Sequence, residues 1–158
     1  MMNLPSEHQR VLHALLERLS PAVIPWAITG SCGFALHGLP VTVHDIDIQT
    51  SDAGAYAIAR LFAEYIIRPV AYRESPTIRS HLGALQIQGV EVEIMGHIQK
   101  RLPDGDWEAP VDVLRHRCWI PFGDWRAPVL SLAYEAQAYE RLGRAERARM
   151  LREWMARQ

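Results

Sequence analysis

The sequence contains little cysteine: only Cys32 and Cys118 occur in 158 residues. Two cysteines are too few for a disulfide scaffold and are not spaced as a zinc knuckle, so we expect reduced thiols. Long apolar runs are also lacking, since no segment approaches the roughly 20 residues that span a bilayer. The first residues have neither the basic start nor the apolar core of a signal peptide. We therefore expect a cytoplasmic protein without membrane contact.

An excess of one charge is absent as well, because the formal net charge is only -1. A general nucleic-acid binder is usually more basic, so non-specific binding to polyanions is not indicated. Internal repeats and low-complexity segments are missing, and the composition is that of an ordinary globular protein. A chain of this length buries about 70% of its unfolded surface, which predicts one domain over 1–158.

Hydrophobic periodicity predicts the elements of the first half of the chain. Apolar residues at helical spacing indicate a helix over 5–19, and a run of β-formers indicates a buried strand over 22–29. The following elements are a short helix over 31–38, an alternating strand over 43–50 and a helix over 52–65.

The second half is richer in strands. We predict strands over 66–72, 84–88 and 90–95, a loop over 100–110, two strands around the turn 122–124, and a helical tail that breaks at Gly143. Adjacent hairpins mixed with helices favour an α/β (α+β) fold, a mixed sheet flanked by helices. The expected parts are the N-terminal helix, a core over about 22–100, and C-terminal strands and helix over about 112–156.

Two carboxylates stand out within an otherwise apolar strand. Asp45 and Asp47 are two residues apart, so both project from one face of the strand while Ile46 and Ile48 project from the other. Carboxylates this close repel each other unless a cation lies between them. Oxygen ligands of this kind suit Mg²⁺ or Mn²⁺, and two such ions can assist the displacement at a phosphate.

A third acid is available on a later strand. In 90–95, Val90, Val92 and Ile94 share one face, and Glu91 and Glu93 share the other. This pattern fits a metal-facing surface, and it equally fits the solvent-facing side of an antiparallel sheet.

Gly30 and Ser31 lie between a predicted strand and a predicted helix. Glycine permits a tight turn with close approach of the backbone to a ligand, and the serine hydroxyl is a donor for phosphate. An ordinary turn glycine is the alternative. A phosphate site followed by three acids forms a coherent set for nucleoside triphosphate chemistry.

These motifs resemble the nucleotidyltransferase signature of the DNA polymerase β superfamily. The resemblance rests on Gly30-Ser31, on Asp45-Ile46-Asp47 and on Val92-Glu93-Ile94, and it covers Trp26 to about Arg144. It is strongest to small bacterial proteins of the minimal, antibiotic-modifying and AbiEii-toxin-like groups. The helix start Phe34–Leu39 and the tail from Leu132 to Arg144 also resemble those proteins.

The resemblance implies a short mixed sheet and three acids that hold two Mg²⁺ ions. It assigns Asp45, Asp47 and Glu93 as metal ligands and catalytic residues. Glu93 is preferred to the alternative Glu91, because the family's acid is followed by two hydrophobic residues. The family pattern has an arginine shortly before the first aspartate; here that stretch has none, and His44 stands there.

Several other side chains are candidates for binding a nucleotide. Arg79 fits a triphosphate because guanidinium matches phosphate oxygens, with a solvated loop cation as the alternative. Arg144 has the same two interpretations. For the remaining candidates we expect ordinary structural roles: His81, His97, Trp107, Trp119, Trp125 and Trp154.

The leading hypothesis is an Mg²⁺-dependent nucleotidyltransferase. It would transfer a nucleoside monophosphate from an NTP such as ATP to a hydroxyl of an unidentified acceptor, with release of pyrophosphate. The acceptor class (small molecule, RNA or protein) stays open. The alternative is a catalytically degenerate fold that binds a nucleotide or a protein partner, as in a toxin–antitoxin pair.

Overall fold

The computed structural model describes residues 3–158. Its helices are α1 (Ser6–Leu19), α2 (Gly30–Leu36), α3 (Asp52–Leu61), α4 (Val113–His116), α5 (Leu132–Arg141) and α6 (Ala145–Ala156), with a short 3₁₀ turn at Ala63–Tyr65. Its strands are β1 (Trp26–Thr29), β2 (Ile46–Thr50), β3 (Ile66–Glu74), β4 (Ile78–Ile87), β5 (Val90–Lys100), β6 (Arg117–Phe122) and β7 (Trp125–Leu130).

All seven strands form one mixed sheet in the order β3-β4-β5-β2-β1-β7-β6. Two pairs are parallel, β2 with β5 and β1 with β7, and the other four are antiparallel. The β4–β5 hairpin turns at Gln88 and Gly89, which both have positive φ angles, as the turn of a two-residue hairpin requires. In this strand order, the three central strands are β5, β2 and β1.

Strand alternation gives the sheet one apolar face and one face with polar groups. The apolar face belongs to a continuous buried core with α1 and α3, to which β1, β2 and β5 contribute Ile28, Ile46, Ile48, Val92 and Ile94. On the opposite face α5 and α6 pack with α2 through a second cluster around Phe34, Leu39 and Leu151. The polar side chains of the central strands therefore project from the sheet towards α5. Within 3–158, no helix combines the length and the apolarity needed to cross a bilayer.

The predicted fold class is confirmed, while several boundaries were wrong. The hairpin strands reach further than 84–88 and 90–95, so that Arg79 lies within β4 rather than in a loop. The strand predicted over 43–50 begins only at Ile46, and the one over 22–29 begins at Trp26, directly after Pro25. The helix predicted over 52–65 ends at Leu61. The break at Gly143 is confirmed, since α5 and α6 are separate helices.

A buried ion cluster attaches the end of β5 to α5. Glu108, with 8% of its side chain exposed, accepts from the Lys100 ammonium at 2.7 Å and from the Arg141 guanidinium at 2.7 Å. The Glu108 carboxylate also accepts a hydrogen bond from the backbone N–H of Lys100, at 3.1 Å. Burial raises the pKa of Glu108, but the contacts with Lys100 and Arg141 outweigh burial and the net shift is downward. The cluster fixes the segment 101–110 and α5 against the sheet.

We predict that Glu108→Gln lowers the free energy of unfolding by about 3 kcal/mol, because the nearly inaccessible Lys100 ammonium loses its counter-charge. Chemical denaturation measures this change. Glu74→Gln, which removes an exposed partner 3.9 Å from Arg79, is the control and should cost no more than about 1 kcal/mol. Adding Lys100→Met to Glu108→Gln should restore part of the loss. If the double variant is less stable than Glu108→Gln, the explanation by an uncompensated charge is wrong.

Candidate active site

The two central parallel strands bring acids of distant sequence side by side. In the β2–β5 register Asp47 lies opposite Glu93, and in the β1–β2 register Thr29 lies opposite Asp47. The same row continues from Glu93 through Ala84 of β4 to Arg68 of β3. Residues in register share a face of the sheet, so these five side chains lie along one line across it.

Arg68 partly compensates the acids at one end of this row. Its guanidinium lies 3.2 Å from a carboxylate oxygen of Glu91 and 3.9 Å from one of Glu93. The small side chain of Ala84 lies between Arg68 and Glu93 and leaves room for this contact. Asp47 is on the far side of Glu93 from Arg68, so the guanidinium does less for it.

Asp47 also approaches the backbone of the turn after β1. Gly30 has a φ of +69°, and a Cβ placed on it would lie 2.7 Å from Asp47 Oδ2. Real side chains do not tolerate such a contact, and most residues avoid this region of φ. Only glycine permits the turn and the close approach of the carboxylate together.

Glu135 of α5 holds this turn from below. Each of its two carboxylate oxygens lies 2.8 Å from the Thr29 hydroxyl, which donates to them. One of these oxygens also accepts from the Gly30 N–H at 3.0 Å. Burial raises the pKa of Glu135 to about 7 despite these hydrogen bonds. Glu135 thus fixes the end of β1 at the point where Asp47 approaches, and the Gly30 N–H is already used within the protein.

The acids disfavour each other's ionisation. Burial, followed by the charges of Glu93 and Asp45, raises the pKa of Asp47 to about 7. Burial also raises the pKa of Glu93, with Arg68 opposing and Glu91 and Asp45 adding to the shift. A group of partly buried carboxylates with raised pKa values is a usual sign of a functional site.

A cleft of about 180 Å³ lies between this row and α5. The sheet contributes Asp47, Gln49 and Lys100 to its lining, while α5 and the segment after it contribute Glu135, Tyr139 and Arg144. The guanidinium of Arg144 lies over the Tyr139 ring, 5.0 Å from its centroid. The cleft therefore joins acidic groups of the sheet with one arginine from the α5–α6 connection.

The donor set suits a hard divalent cation. In the described part of the chain no three His, Cys, Asp or Glu side chains are already arranged to hold a metal. However, Asp45, Asp47 and Glu93 offer only oxygen ligands, and the raised pKa values of Asp47 and Glu93 indicate a local deficit of positive charge. Mg²⁺ and Mn²⁺ prefer such ligands and would relieve this repulsion. The residues present fit the expected metal.

The structure brings together most of the residues that the sequence selected. Asp45 directly precedes β2 and is close enough to Asp47 to affect its ionisation. Ser31 follows Gly30 in α2, and its hydroxyl oxygen accepts from the His44 N–H at 3.3 Å. The motifs Gly30-Ser31 and Asp45–Asp47 are therefore neighbours. Glu93 lies directly beside Asp47, whereas Glu91 is two residues away and lies against Arg68.

Arg79 is not brought to the acids. It is in register with Gln99, whose side chain accepts from its Nε at 3.0 Å, and its guanidinium lies 4.4 Å from the centroid of the Trp107 ring. The cleft is lined instead by Ile78, which precedes Arg79 in β4, and by Lys100, which pairs with Ile78. Since successive strand residues face opposite ways, Arg79 points away from it.

The remaining histidines and tryptophans have structural surroundings. His81 hydrogen-bonds the Tyr56 hydroxyl at 2.9 Å, and the His97 ring lies 6.3 Å from that of His81. None of the tryptophans belongs to the described lining of the cleft. Their contacts are with arginines for Trp107 and Trp119, with His13 for Trp125, and with the α2–α6 cluster for Trp154.

Four residues of the site were missed from the sequence. Thr29 and Glu135 are far apart along the chain, and only the fold shows that they meet. An acid within the apolar stripe of α5, between Leu132 and Ala136, was the available signal for Glu135. Arg68 and Gln49 gave no signal, because polar residues on strand faces are common.

The comparisons with known proteins agree with this geometry. The sequence model of the aminoglycoside-2''-adenylyltransferase family matches residues 11–156. No protein of curated function matches the chain.

Solved structures give the same picture. A protein from Thermotoga maritima, provisionally described as a nucleotidyltransferase, is 47% identical with a TM-score of 0.87, over 100% of this chain and 97% of its own. The lincosamide adenylyltransferase LnuA, with lincomycin bound, is 15% identical with a TM-score of 0.51, over 94% and 99%. The antibiotic-resistance factor ANT(2'')-Ia is 13% identical with a TM-score of 0.55, over 96% and 86%. The last two show similarity of fold.

We predict that Gly30→Ala lowers nucleotidyl-transfer activity by about 100-fold, since the new methyl group displaces the Asp47 carboxylate. Steady-state kinetics measures the change. Gly89→Ala is the matched control: its φ is +83° and nothing lies within 4 Å of the added methyl. Both variants should lose about 1 kcal/mol of stability from backbone strain, and only Gly30→Ala should lose activity. Equal activity losses would contradict the assigned contact.

A second prediction concerns the pH dependence of stability. The folded-state pKa of Glu135, about 7, exceeds its ordinary value of 4.5. Its contribution to stability is therefore complete below pH 4.5 and is lost as pH rises through 7. Glu135→Gln cannot ionise and should reduce the fall in the free energy of unfolding between pH 5 and 8 by about 2 kcal/mol. Urea denaturation across this range measures it.

Glu153→Gln, at an exposed position of α6, is the control and should follow the wild type. A Glu135→Gln curve that runs parallel to that of the wild type would show that Glu135 is already ionised at pH 5.

Proposed function

The chain belongs to the aminoglycoside-2''-adenylyltransferase family of nucleotidyltransferases, and on this premise we propose that it transfers a nucleoside monophosphate from an NTP to a hydroxyl of a small acceptor, with Mg²⁺ and with release of pyrophosphate. The observation that carries the proposal is the meeting of Asp45, Asp47 and Glu93 beside the turn at Gly30 and Ser31.

Asp45, Asp47 and Glu93 are the residues that would hold Mg²⁺ or Mn²⁺. All three are acids whose oxygens are hard ligands, and each adds to the repulsion that a cation relieves. When bound, the metal supplies positive charge next to the reacting phosphate. The number of ions is expected to be two, as the family resemblance implies.

The triphosphate is expected to lie along the side of Ser31 and Arg144. The Ser31 oxygen accepts from His44, so its own hydrogen is free to donate to a phosphate oxygen. Arg144 lines the cleft, and Arg147 lies against the same Tyr139 ring at 5.4 Å. The guanidinium groups of these two residues would supply positive charge to the triphosphate. They would thereby replace the arginine that the family pattern has shortly before the first aspartate and that this sequence lacks.

The reaction follows from these positions. An acceptor hydroxyl oxygen forms a bond to the α-phosphorus, and the bond from that phosphorus to the bridging oxygen breaks, which releases pyrophosphate. Glu93 is the proposed acceptor of the hydroxyl proton, because burial raises its pKa towards the range that suits a general base. The positive charge of Arg68 opposes this rise in the pKa of Glu93 and so favours its ionised form. Asp47 lies beside Gly30, where the absence of a side chain leaves room for its carboxylate.

The acceptor is proposed to be a small molecule bearing hydroxyl groups, in keeping with the aminoglycosides of the family's description. A cleft of about 180 Å³ accommodates part of such a molecule. The alternative, a fold that only binds a nucleotide or a protein partner, differs in its outcome: it binds NTP but transfers nothing.

We predict that Asp47→Asn and Glu93→Gln each lower kcat by at least about 100-fold, because each removes a ligand of the cation that would stabilise the transferred phosphate. The measurement uses labelled ATP, GTP, CTP and UTP with Mg²⁺ and a panel of aminoglycosides and lincomycin. Calorimetry with Mg²⁺ and a non-hydrolysable ATP analogue measures binding in parallel. The double variant Asp45→Asn/Asp47→Asn should lose metal-dependent binding.

Asp124→Asn, in the β6–β7 turn, is the control for loss of a carboxylate and should leave kcat within about twofold. Glu91→Gln decides between the two candidate third acids, and we expect it to cost far less than Glu93→Gln. A wild-type protein that binds the analogue but labels no acceptor would favour the binding-only alternative. Binding that survives the double variant would contradict the assigned metal ligands.

A further inference from the structure

The segment that leads into Asp45 lies outside the sheet. β2 begins at Ile46, so Asp45 precedes the strand. In the part of the chain that the structure describes, no backbone–backbone hydrogen bond outside helices and strands involves residues 42–44. The position of Asp45, assigned above as a metal ligand, therefore depends on contacts that side chains make with this segment.

Two side chains hold the backbone of His44, the residue before Asp45. The His44 N–H donates to Ser31 Oγ at 3.3 Å, and the His44 carbonyl oxygen lies 2.7 Å from Nε2 of His8. A carbonyl oxygen only accepts, so His8 Nε2 carries the hydrogen and donates it. The carbonyl belongs to the planar peptide group that joins His44 to Asp45. The bond from His8 therefore orients the peptide plane from which Asp45 continues.

The hydrophobic core fixes both ends of this bond. His8 lies on α1, three and four residues before the fully buried Val11 and Leu12, so it is next to the buried stripe of the helix. Val43, directly before His44, belongs to the same core cluster as α1. A hydrogen bond between two segments that are anchored in one core restricts the residues at its ends more than a bond between mobile segments does.

The imidazole of His8 contributes little beyond this bond. Its other ring nitrogen, Nδ1, is shielded from solvent and has no hydrogen-bond partner among residues 3–158. An unpaired buried nitrogen is unfavourable, so an apolar side chain would serve packing at this position better. The donor to the His44 carbonyl is what the imidazole adds.

We infer that His8 is a positioning residue for the candidate active site. Through the backbone of His44 it fixes Asp45 relative to the Ser31 hydroxyl, although it contacts neither side chain. The inference rests on the proposed function and deepens it, because α1 then takes part in placing a metal ligand and a phosphate donor. Removal of a group that orients a metal ligand typically lowers metal affinity or activity by about 10–100-fold.

A matched pair of variants isolates the hydrogen bond. His8→Gln keeps a nitrogen donor at nearly the reach of Nε2, whereas His8→Met has a similar length and no donor. The probe is Mn²⁺ alone, whose free concentration is measured by electron paramagnetic resonance. We expect His8→Met to raise the Kd for Mn²⁺ about 10-fold and His8→Gln to stay within about threefold of the wild type. Excess Mn²⁺ should recover part of the nucleotidyl-transfer activity that His8→Met loses.

Two further variants control for general effects on α1 and on the segment before Asp45. Arg18 lies on the same helix and donates to the Leu61 carbonyl at 2.8 Å, at the end of α3. Asn3 donates to the carbonyls of Gly38 and Leu39 at 3.2 Å, at the other end of the segment. Arg18→Met should lower the melting temperature at least as much as His8→Met, and both Arg18→Met and Asn3→Ala should keep the Kd for Mn²⁺ within about twofold.

Asp45→Asn separates this inference from the proposed function. If Asp45→Asn weakens Mn²⁺ binding and His8→Met does not, the role of His8 is wrong and the assigned metal ligand stands. Equal impairment of His8→Gln and His8→Met would attribute the effect to packing of the ring and overturn the inference. An equal loss of affinity in Arg18→Met would overturn it as well, in favour of general loosening of α1. If Asp45→Asn leaves Mn²⁺ binding unchanged, the metal ligand of the proposed function fails and the inference fails with it.

Discussion

The register between β2 and β5 is the constraint on which the site depends. These strands are parallel, and their pairing places Asp47 opposite Glu93 and Ile48 opposite Ile94. A shift of one residue would turn every side chain of the strand to the other face, so the acids would enter the core under α1 and α3. The isoleucines that fill that core are therefore what fixes the acids in position. Burial of apolar surface supplies the free energy, and the carboxylates occupy the face that remains.

The same face carries a cost in electrostatic free energy. Raised pKa values at Asp47, Glu93 and Glu135 mean that the folded protein resists full ionisation at these sites. Arg68 offsets part of this at Glu93, while Asp47 stays without close compensation. Unfavourable groups of this kind persist in proteins where a ligand satisfies them. The Oε1 atom of Gln49 is a similar case, because this buried oxygen has no hydrogen-bond partner among residues 3–158.

Local patterns in the sequence predicted the parts of this protein that depend on nearby residues. Alternation in 43–50 and 90–95 identified the acidic faces, and the glycine between strand and helix marked the turn. Partners from distant segments gave no comparable signal, as for Arg68, which reaches Glu93 only across Ala84. Arg79 shows the opposite case: a suitable residue type in a suitable region, which the alternation of β4 directs away from the cleft. Strand ends were misjudged because polar residues such as Ser80 and His97 interrupt the apolar pattern.

The hydrogen bond between Thr29 and Glu135 joins residues 106 positions apart. Closing so long a loop costs more conformational entropy than forming the local β4–β5 hairpin. During synthesis, the end of β1 leaves the ribosome long before α5 exists. The emerging chain thus carries its carboxylates without the contact that shapes the turn beside them until α5 has been made. A working site consequently needs α5 as well as the central strands, and the order of assembly separates the making of those strands from the completion of the site.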